Sequence, residues 1–266
     1  MKVAAAQMHP KFAQPEVNRK ILRRVIHKAG ADDVDLIVFP ELCVSGYNFT
    51  SFKQVQAMAE PVPDGPSTLL LQTLAEEYEM IIVAGLAEYE AANQLYNSAV
   101  IVGPDGFVGN YRKIHLFDRE KKWFTPGQRA PQVWNVSGVI LGALVCFDWA
   151  FPEASRILML EGCEILCLPA NLVLPYAQRT MSARSIENRI FTILANRVGS
   201  ERTLTFTGHS QITNTHGEVL AKGALKRSGL IIAEINPVKA RDKFLTRTNH
   251  IIEDRRVELY SRLLQK

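Results

Sequence analysis

Asp35-Leu36-Ile37-Val38-Phe39-Pro40-Glu41 and Glu164-Ile165-Leu166-Cys167-Leu168-Pro169-Ala170-Asn171 follow one pattern: an acid, an apolar run of strand length, a proline and a polar residue. An unbroken apolar run of this length reads as a strand buried on both faces, and the proline at its end cannot continue the ladder. Helical periodicity precedes both strings. Residues 15–29 carry Val17, Ile21, Leu22, Val25 and Ile26 on one face, and a helix begins at Pro152. With a strand over residues 2–8, the chain opens as a β-α-β unit. The paired strings fit two sheets facing each other with helices outside, but periodicity alone fits an ordinary three-layer sandwich as well.

Working outward, residues 66–79 read as a second helix and 80–86 as a strand. Residues 98–102 and 107–112, joined by Gly103-Pro104-Asp105-Gly106, read as an antiparallel hairpin, so the sheet is mixed. Strands follow at 132–136 and 139–145, then the helix from Pro152, the strand 165–168, a helix over 177–188 and a strand 191–195. A hairpin over 211–221 turns at His216-Gly217, and a last strand spans 230–235. The class is α/β. A chain of 266 residues of this kind forms one domain around one large core. From about residue 241 a charged extension containing Asp254-Arg255-Arg256 lacks a full apolar face, which suits packing on a partner subunit.

Composition excludes several functions. Hydrophobic residues at 47% and charged residues at 22% are those of a folded soluble protein. The 31 basic and 27 acidic residues are scattered, apart from pairs such as Arg23-Arg24 and Lys121-Lys122, so no basic stripe awaits nucleic acid. The apolar run 3–8 is short for a signal peptide, and the longest, 136–147, falls well below the roughly 20 residues that span a bilayer. A cytoplasmic protein with neither membrane nor nucleic-acid partners is expected. Cys43, Cys146, Cys163 and Cys167 do not form a disulfide framework, and no Cys or His cluster completes a zinc site beside Cys163 and Cys167, which read as buried thiols.

Three residues invite chemistry. Cys146 ends an apolar strand just before a helix start, where backbone N–H groups and a helix dipole favour a thiolate and an oxyanion; a core cysteine ending a buried strand fits the local sequence equally. Glu41, after Phe39-Pro40, is either a solvated strand end or a desolvated base suited to passing protons. Lys113 stands where the hairpin leaves the sheet, a position open to any surface lysine. Taken together they change the reading, because Phe39-Pro-Glu41-Leu, Gly109-Asn-Tyr-Arg-Lys113-Ile-His-Leu and Cys146-Phe-Asp-Trp-Ala-Phe-Pro-Glu153 occur in the order and spacing of the nitrilase superfamily of carbon-nitrogen hydrolases. Tyr96-Asn-Ser-Ala, Trp123-Phe-Thr-Pro-Gly127, Glu187-Asn-Arg189, Ala195-Asn-Arg-Val-Gly199 and Asp254-Arg-Arg extend the resemblance over essentially the whole chain.

The resemblance implies a four-layer αββα sandwich with two mixed sheets, a homodimer or larger assembly, and a Glu-Lys-Cys triad working without metal or organic cofactor. It assigns Cys146 as nucleophile, Glu41 as proton shuttle, Lys113 with the Phe147 backbone N–H as oxyanion donors, and Glu120 as the second glutamate that holds the lysine. The loop between Lys113 and Glu120 is compact compared with many relatives. Tyr47, Trp149, Asn171 and Tyr176 are candidate pocket walls. His115 could pair with the thiol, but a structural hydrogen bond beside the site suits it better; Asp148 and Glu153 suit helix capping. Phe147-Asp148 resembles the amidase and carbamoylase branches, whereas nitrile specialists usually carry Trp-Glu there; Cys146-Phe-Asp-Trp149 is also similar to small archaeal-type nitrilases. The expected substrate is therefore a small amide or carbamoyl compound, cleaved to acid and ammonia through a thioester, with a nitrile as the alternative. A non-catalytic binding protein on this fold is disfavoured by the intact triad.

Overall fold

The computed structural model describes residues 1–91 and 94–265. Its first half contains β1 (Lys2–Gln7), α1 (Pro15–Ala31), β2 (Leu36–Val38), α2 (Phe52–Gln56), α3 (Pro66–Glu77), β3 (Ile81–Ala91), β4 (Gln94–Gly103), β5 (Gly106–Arg112) and α4 (Glu120–Trp123). The second half contains β6 (Val133–Val136), β7 (Val139–Ala143), α5 (Pro152–Leu160), β8 (Ile165–Ala170), α6 (Ala177–Asn188), β9 (Phe191–Asn196), the short hairpin β10 (Ser200–Glu201) and β11 (Leu204–Thr205), then β12 (Gln211–Thr213), β13 (Val219–Lys222) and β14 (Gly229–Glu234). Helices α1, α3 and α5 each open on a proline, whose missing N–H costs nothing in the first turn.

Among the described residues the long strands form two six-stranded sheets, ordered β14-β1-β2-β3-β4-β5 and β13-β12-β9-β8-β7-β6. Each has a parallel centre, β1-β2-β3 or β7-β8-β9, with antiparallel strands on both sides. Alternation along the strands decides the layering. Val3, Ala5, Leu36 and Val38 share a core with Leu166, Leu168, Ile193 and Ala195 of the other sheet. Their neighbours Ala4 and Ile37 point the opposite way, into Leu22, Ile26, Leu71 and Leu74 of α1 and α3. With α5 and α6 outside the second sheet, the arrangement is four-layered, αββα, and the three-layer alternative falls away.

The strands differ from expectation where tertiary contacts intervene. β3 continues past residue 86 because β4 pairs with it out to Ala91↔Gln94. β7 stops at Ala143 because the Val145 N–H turns to the Asp148 carboxylate at 2.9 Å, starting a 3-10 turn over Cys146–Ala150. The short elements α2, α4, β10 and β11 have too few residues to show a period. All four cysteines are buried free thiols. No helix among the described residues is long and apolar enough to cross a membrane.

Candidate active site

β2 runs between β1 and β3, and its continuation Phe39-Pro40-Glu41 lies directly over β3. The Phe39 N–H donates to the Val83 carbonyl at 2.7 Å and the Cys43 N–H to that of Gly85 at 2.9 Å. This close approach requires glycine at 85, because a Cβ there would sit 2.4 Å from the Glu41 Cα. Glu41 is thereby fully buried.

Lys113 follows β5 and is also fully buried. Its backbone is clamped on both sides: its N–H donates to the Asn97 carbonyl at 2.8 Å, and its carbonyl accepts from the Gly127 N–H at 2.9 Å. The ammonium donates to Glu41 Oε1 at 2.7 Å and to Glu120 Oε1 at 2.9 Å, with Glu120 Oε2 at 2.7 Å. Asn97 Nδ2 donates to the same Glu41 oxygen at 2.7 Å, and the Tyr47 hydroxyl donates to Glu120 Oε1 at 2.7 Å. Glu41 Oε1 thus has two donors, whereas Oε2 is buried without a partner among the described residues.

Cys146 comes from the second sheet, at φ +46° on the first residue of the 3-10 turn. Asp148 holds that turn. Its carboxylate accepts from the Val145 N–H, from the Tyr111 hydroxyl at 2.8 Å and from the His115 N–H at 3.2 Å, and it pairs with His115 Nδ1 at 2.8 Å. The His115 ring stacks on Phe151 at 3.6 Å, so the structural hydrogen bond is the role its surroundings give it. Asn171, at the end of β8, donates from Nδ2 to the Glu41 carbonyl at 2.9 Å. The two repeated strings of the sequence therefore meet at their polar ends.

Burial pushes the Cys146 thiol well above its ordinary pKa; Glu41 and Glu120 reinforce this and Lys113 opposes it. Burial alone would lower Lys113, but the Glu120 and Glu41 carboxylates outweigh it and hold the ammonium above its usual value. Glu120 is raised by burial against the pull of Lys113. A neutral thiol beside a fixed cation and a carboxylate with one free oxygen is poised for proton transfer coupled to attack.

The thiol opens into a cleft of about 370 Å³, its open mouth included, walled by Phe117, Phe147, Trp149, Asn171, Leu172 and Leu174. Trp149 and Asn171 lie where the sequence reading puts pocket walls. Tyr47 does not line this cleft; its hydroxyl is bonded to Glu120. Tyr176 is 54% exposed, with its ring 6.4 Å from Trp149, and is not part of the wall. Asn97 has no role legible in the sequence, and Asp148 has only that of a helix cap. A buried asparagine in a largely apolar strand signals a need for a partner, without saying which.

A carbon-nitrogen hydrolase family model matches residues 2–243. A nitrilase of Pyrococcus abyssi is 42% identical over 262 residues, covering 98% of this chain and all of that protein. An (R)-stereoselective amidase of a Pseudomonas species is 37% identical over 195 residues, 71% of this chain and 69% of that protein. The crystal structure of an amidase from Nesterenkonia sp. superimposes with a TM-score of 0.82 at 25% identity, over 99% of this chain and 96% of that one.

Proposed function

The chain belongs to the carbon-nitrogen hydrolase family, and from that premise we propose that it hydrolyses small amides through a cysteine thioester. The supporting observation is the asymmetry of Glu41: Oε1 is committed to Lys113 and Asn97, leaving Oε2 free to take a proton. In this reading Glu41 takes the Cys146 proton as sulfur attacks the amide carbon. Lys113 and the Phe147 backbone N–H stabilise the oxyanion, while Glu120 keeps the lysine in place. The intermediate collapses, the carbon-nitrogen bond breaks, and the nitrogen leaves as ammonia with the proton from Glu41. Water then gives a proton to Glu41 and adds to the thioester, releasing the acid and the thiol. The side chains walling the cleft carry no formal charge, which favours an uncharged, apolar acyl group. We propose a homodimer or larger assembly as the working form.

The 42% identity to a nitrilase favours nitriles as a second reading. There the first adduct is a thioimidate, whose nitrogen must be protonated before water adds, so the triad is shared but the residues beyond Cys146 must position a proton donor differently. Ammonia release from matched short aliphatic amides and nitriles, with carbamoyl compounds alongside, separates the two. The amide is expected to have the higher kcat/KM; a nitrile tenfold better than its amide, about 1.4 kcal/mol of transition-state binding, reverses the assignment.

A further inference from the structure

Arg197, in the Ala195-Asn-Arg-Val-Gly199 block, is the largest fully buried side chain among the described residues. A buried guanidinium is costly unless its donors are matched, and a buried ion pair is by itself weak evidence of a stabilising role. Arg197 Nη1 donates to Glu201 Oε2 at 2.7 Å and Nη2 to the Pro10 carbonyl at 3.1 Å, while its guanidinium lies 4.1 Å over the Phe206 ring. None of these groups enters the chemistry above.

Their other partners point to what they do. Glu201 Oε1 accepts the backbone N–H of Tyr47 at 2.9 Å and that of Asn48, and Asn48 Nδ2 donates to the Glu201 carbonyl at 3.0 Å. The Tyr47 ring stands edge-on to Phe206 with centroids 6.2 Å apart. Gly46 precedes it at φ +81°, where a Cβ would lie 3.0 Å from Glu201 Oε2, so a side chain would crowd the clamp. From this doubly held residue the hydroxyl reaches the Glu120 oxygen that also accepts from Lys113.

We propose that Arg197 and Glu201 are positioning residues: a buried ion pair after β9 of the second sheet that fixes Tyr47 and, through its hydroxyl, the Glu120–Lys113 pair of the first. The proposal rests on Lys113 being the oxyanion donor. Because displacement of a catalytic group by about 1 Å can cost around 100-fold in rate, a clamp acting on an ammonium should register in kcat.

The experiment is a double-mutant cycle of Glu201→Gln and Tyr47→Phe on the full chain, reading kcat and KM across pH. Each single change is expected to lower kcat by about tenfold or more with KM within about threefold, and the double variant to be no worse than the poorer single, since both act through one hydroxyl. The pH profile gives a second readout. The Tyr47 hydroxyl favours ionised Glu120, so losing it raises the Glu120 pKa, and the acid limb of kcat/KM moves to higher pH in both variants. If Glu201→Gln does not fold, Phe206→Leu, which leaves the ion pair intact, replaces it under the same criteria. Wild-type kcat in either clamp variant, or losses that multiply in the double, overturns the proposal. Inactive Cys146→Ala and Glu120→Gln beside neutral clamp variants rejects the clamp alone; fully active Tyr47→Phe and Glu120→Gln rejects the reading beneath it.

Discussion

Cys146 occupies a left-handed backbone position at φ +46°, which a residue with a Cβ adopts at a cost of about 1 kcal/mol or more. The four contacts of Asp148 hold it there and present the sulfur to the cleft. The other cysteines lack that access: burial lifts Cys43 and Cys163 to about 12 and raises Cys167 further. Burial raises Cys146 as well, so in the proposed mechanism its reactivity depends on Glu41 rather than on a standing thiolate. Iodoacetamide should therefore label Cys146 first in the native protein, and Glu41→Gln should slow that labelling by about tenfold, as followed by peptide mass spectrometry. Equal labelling of all four thiols contradicts an activated Cys146. The positions of Glu41, Lys113 and Cys146 at strand ends were legible one by one, from the apolar runs and the hairpin that precede them. Those of Asn97 and Asp148 were not, because their value comes from partners far along the chain, Glu41 for one and Tyr111 and His115 for the other.

Elements bring these residues together, and the tightest junction is β3 against the end of β2. The three atoms nearest a Cβ on Gly85 are all backbone: the Glu41 Cα at 2.4 Å, the Pro40 carbonyl at 2.7 Å and the Leu42 nitrogen at 2.8 Å. Backbone held on both sides by strand hydrogen bonds cannot yield as a flexible side chain would. Gly85→Ala should thus push Glu41 off the sheet, costing about 1–3 kcal/mol of stability and lowering kcat by about 100-fold, as read by thermal unfolding and steady-state kinetics. An alanine variant with wild-type kcat contradicts the need for this approach. The long elements were legible because apolar runs and proline starts announce them. The repeat of two short strings anticipated facing sheets, yet the Asn171 side chain reaching the Glu41 carbonyl could be seen only in three dimensions. The end of β7 was misplaced by two residues because the Val145 N–H is taken by a side chain three positions ahead, a competition that apolar periodicity does not record.

For the whole molecule, the two sheets supply opposite halves of the site, so anything that lets them slide apart separates Cys146 from Glu41 and Lys113. The outer layer bears on that stability. Ile157 and Leu160 on α5 and Ile186 on α6 are exposed, and beyond residue 243 the chain adds Phe244, Leu245, Val257, Leu259, Leu263 and the 90% exposed Leu264. The segment begins firmly attached, with Lys243 Nζ donating to the carbonyls of Asn188 and Arg189 at 3.0 and 3.2 Å, where α6 ends. Past that anchor its apolar side chains find little cover within one chain, although two 3-10 turns, Val257–Leu259 and Ser261–Leu264, give it a defined path. Apolar surface on this scale is more stable against a second copy than in water, and a stable interface of about 1,600 Å² would accommodate it. The full chain should sediment as a dimer or larger at micromolar concentration. A variant ending at Arg256 should shift toward monomer under the same conditions while keeping its far-ultraviolet circular dichroism, since the removed turns pair with neither sheet. A full chain that stays monomeric through that range, or a truncated one that assembles just as well, rules out this segment as the contact between copies.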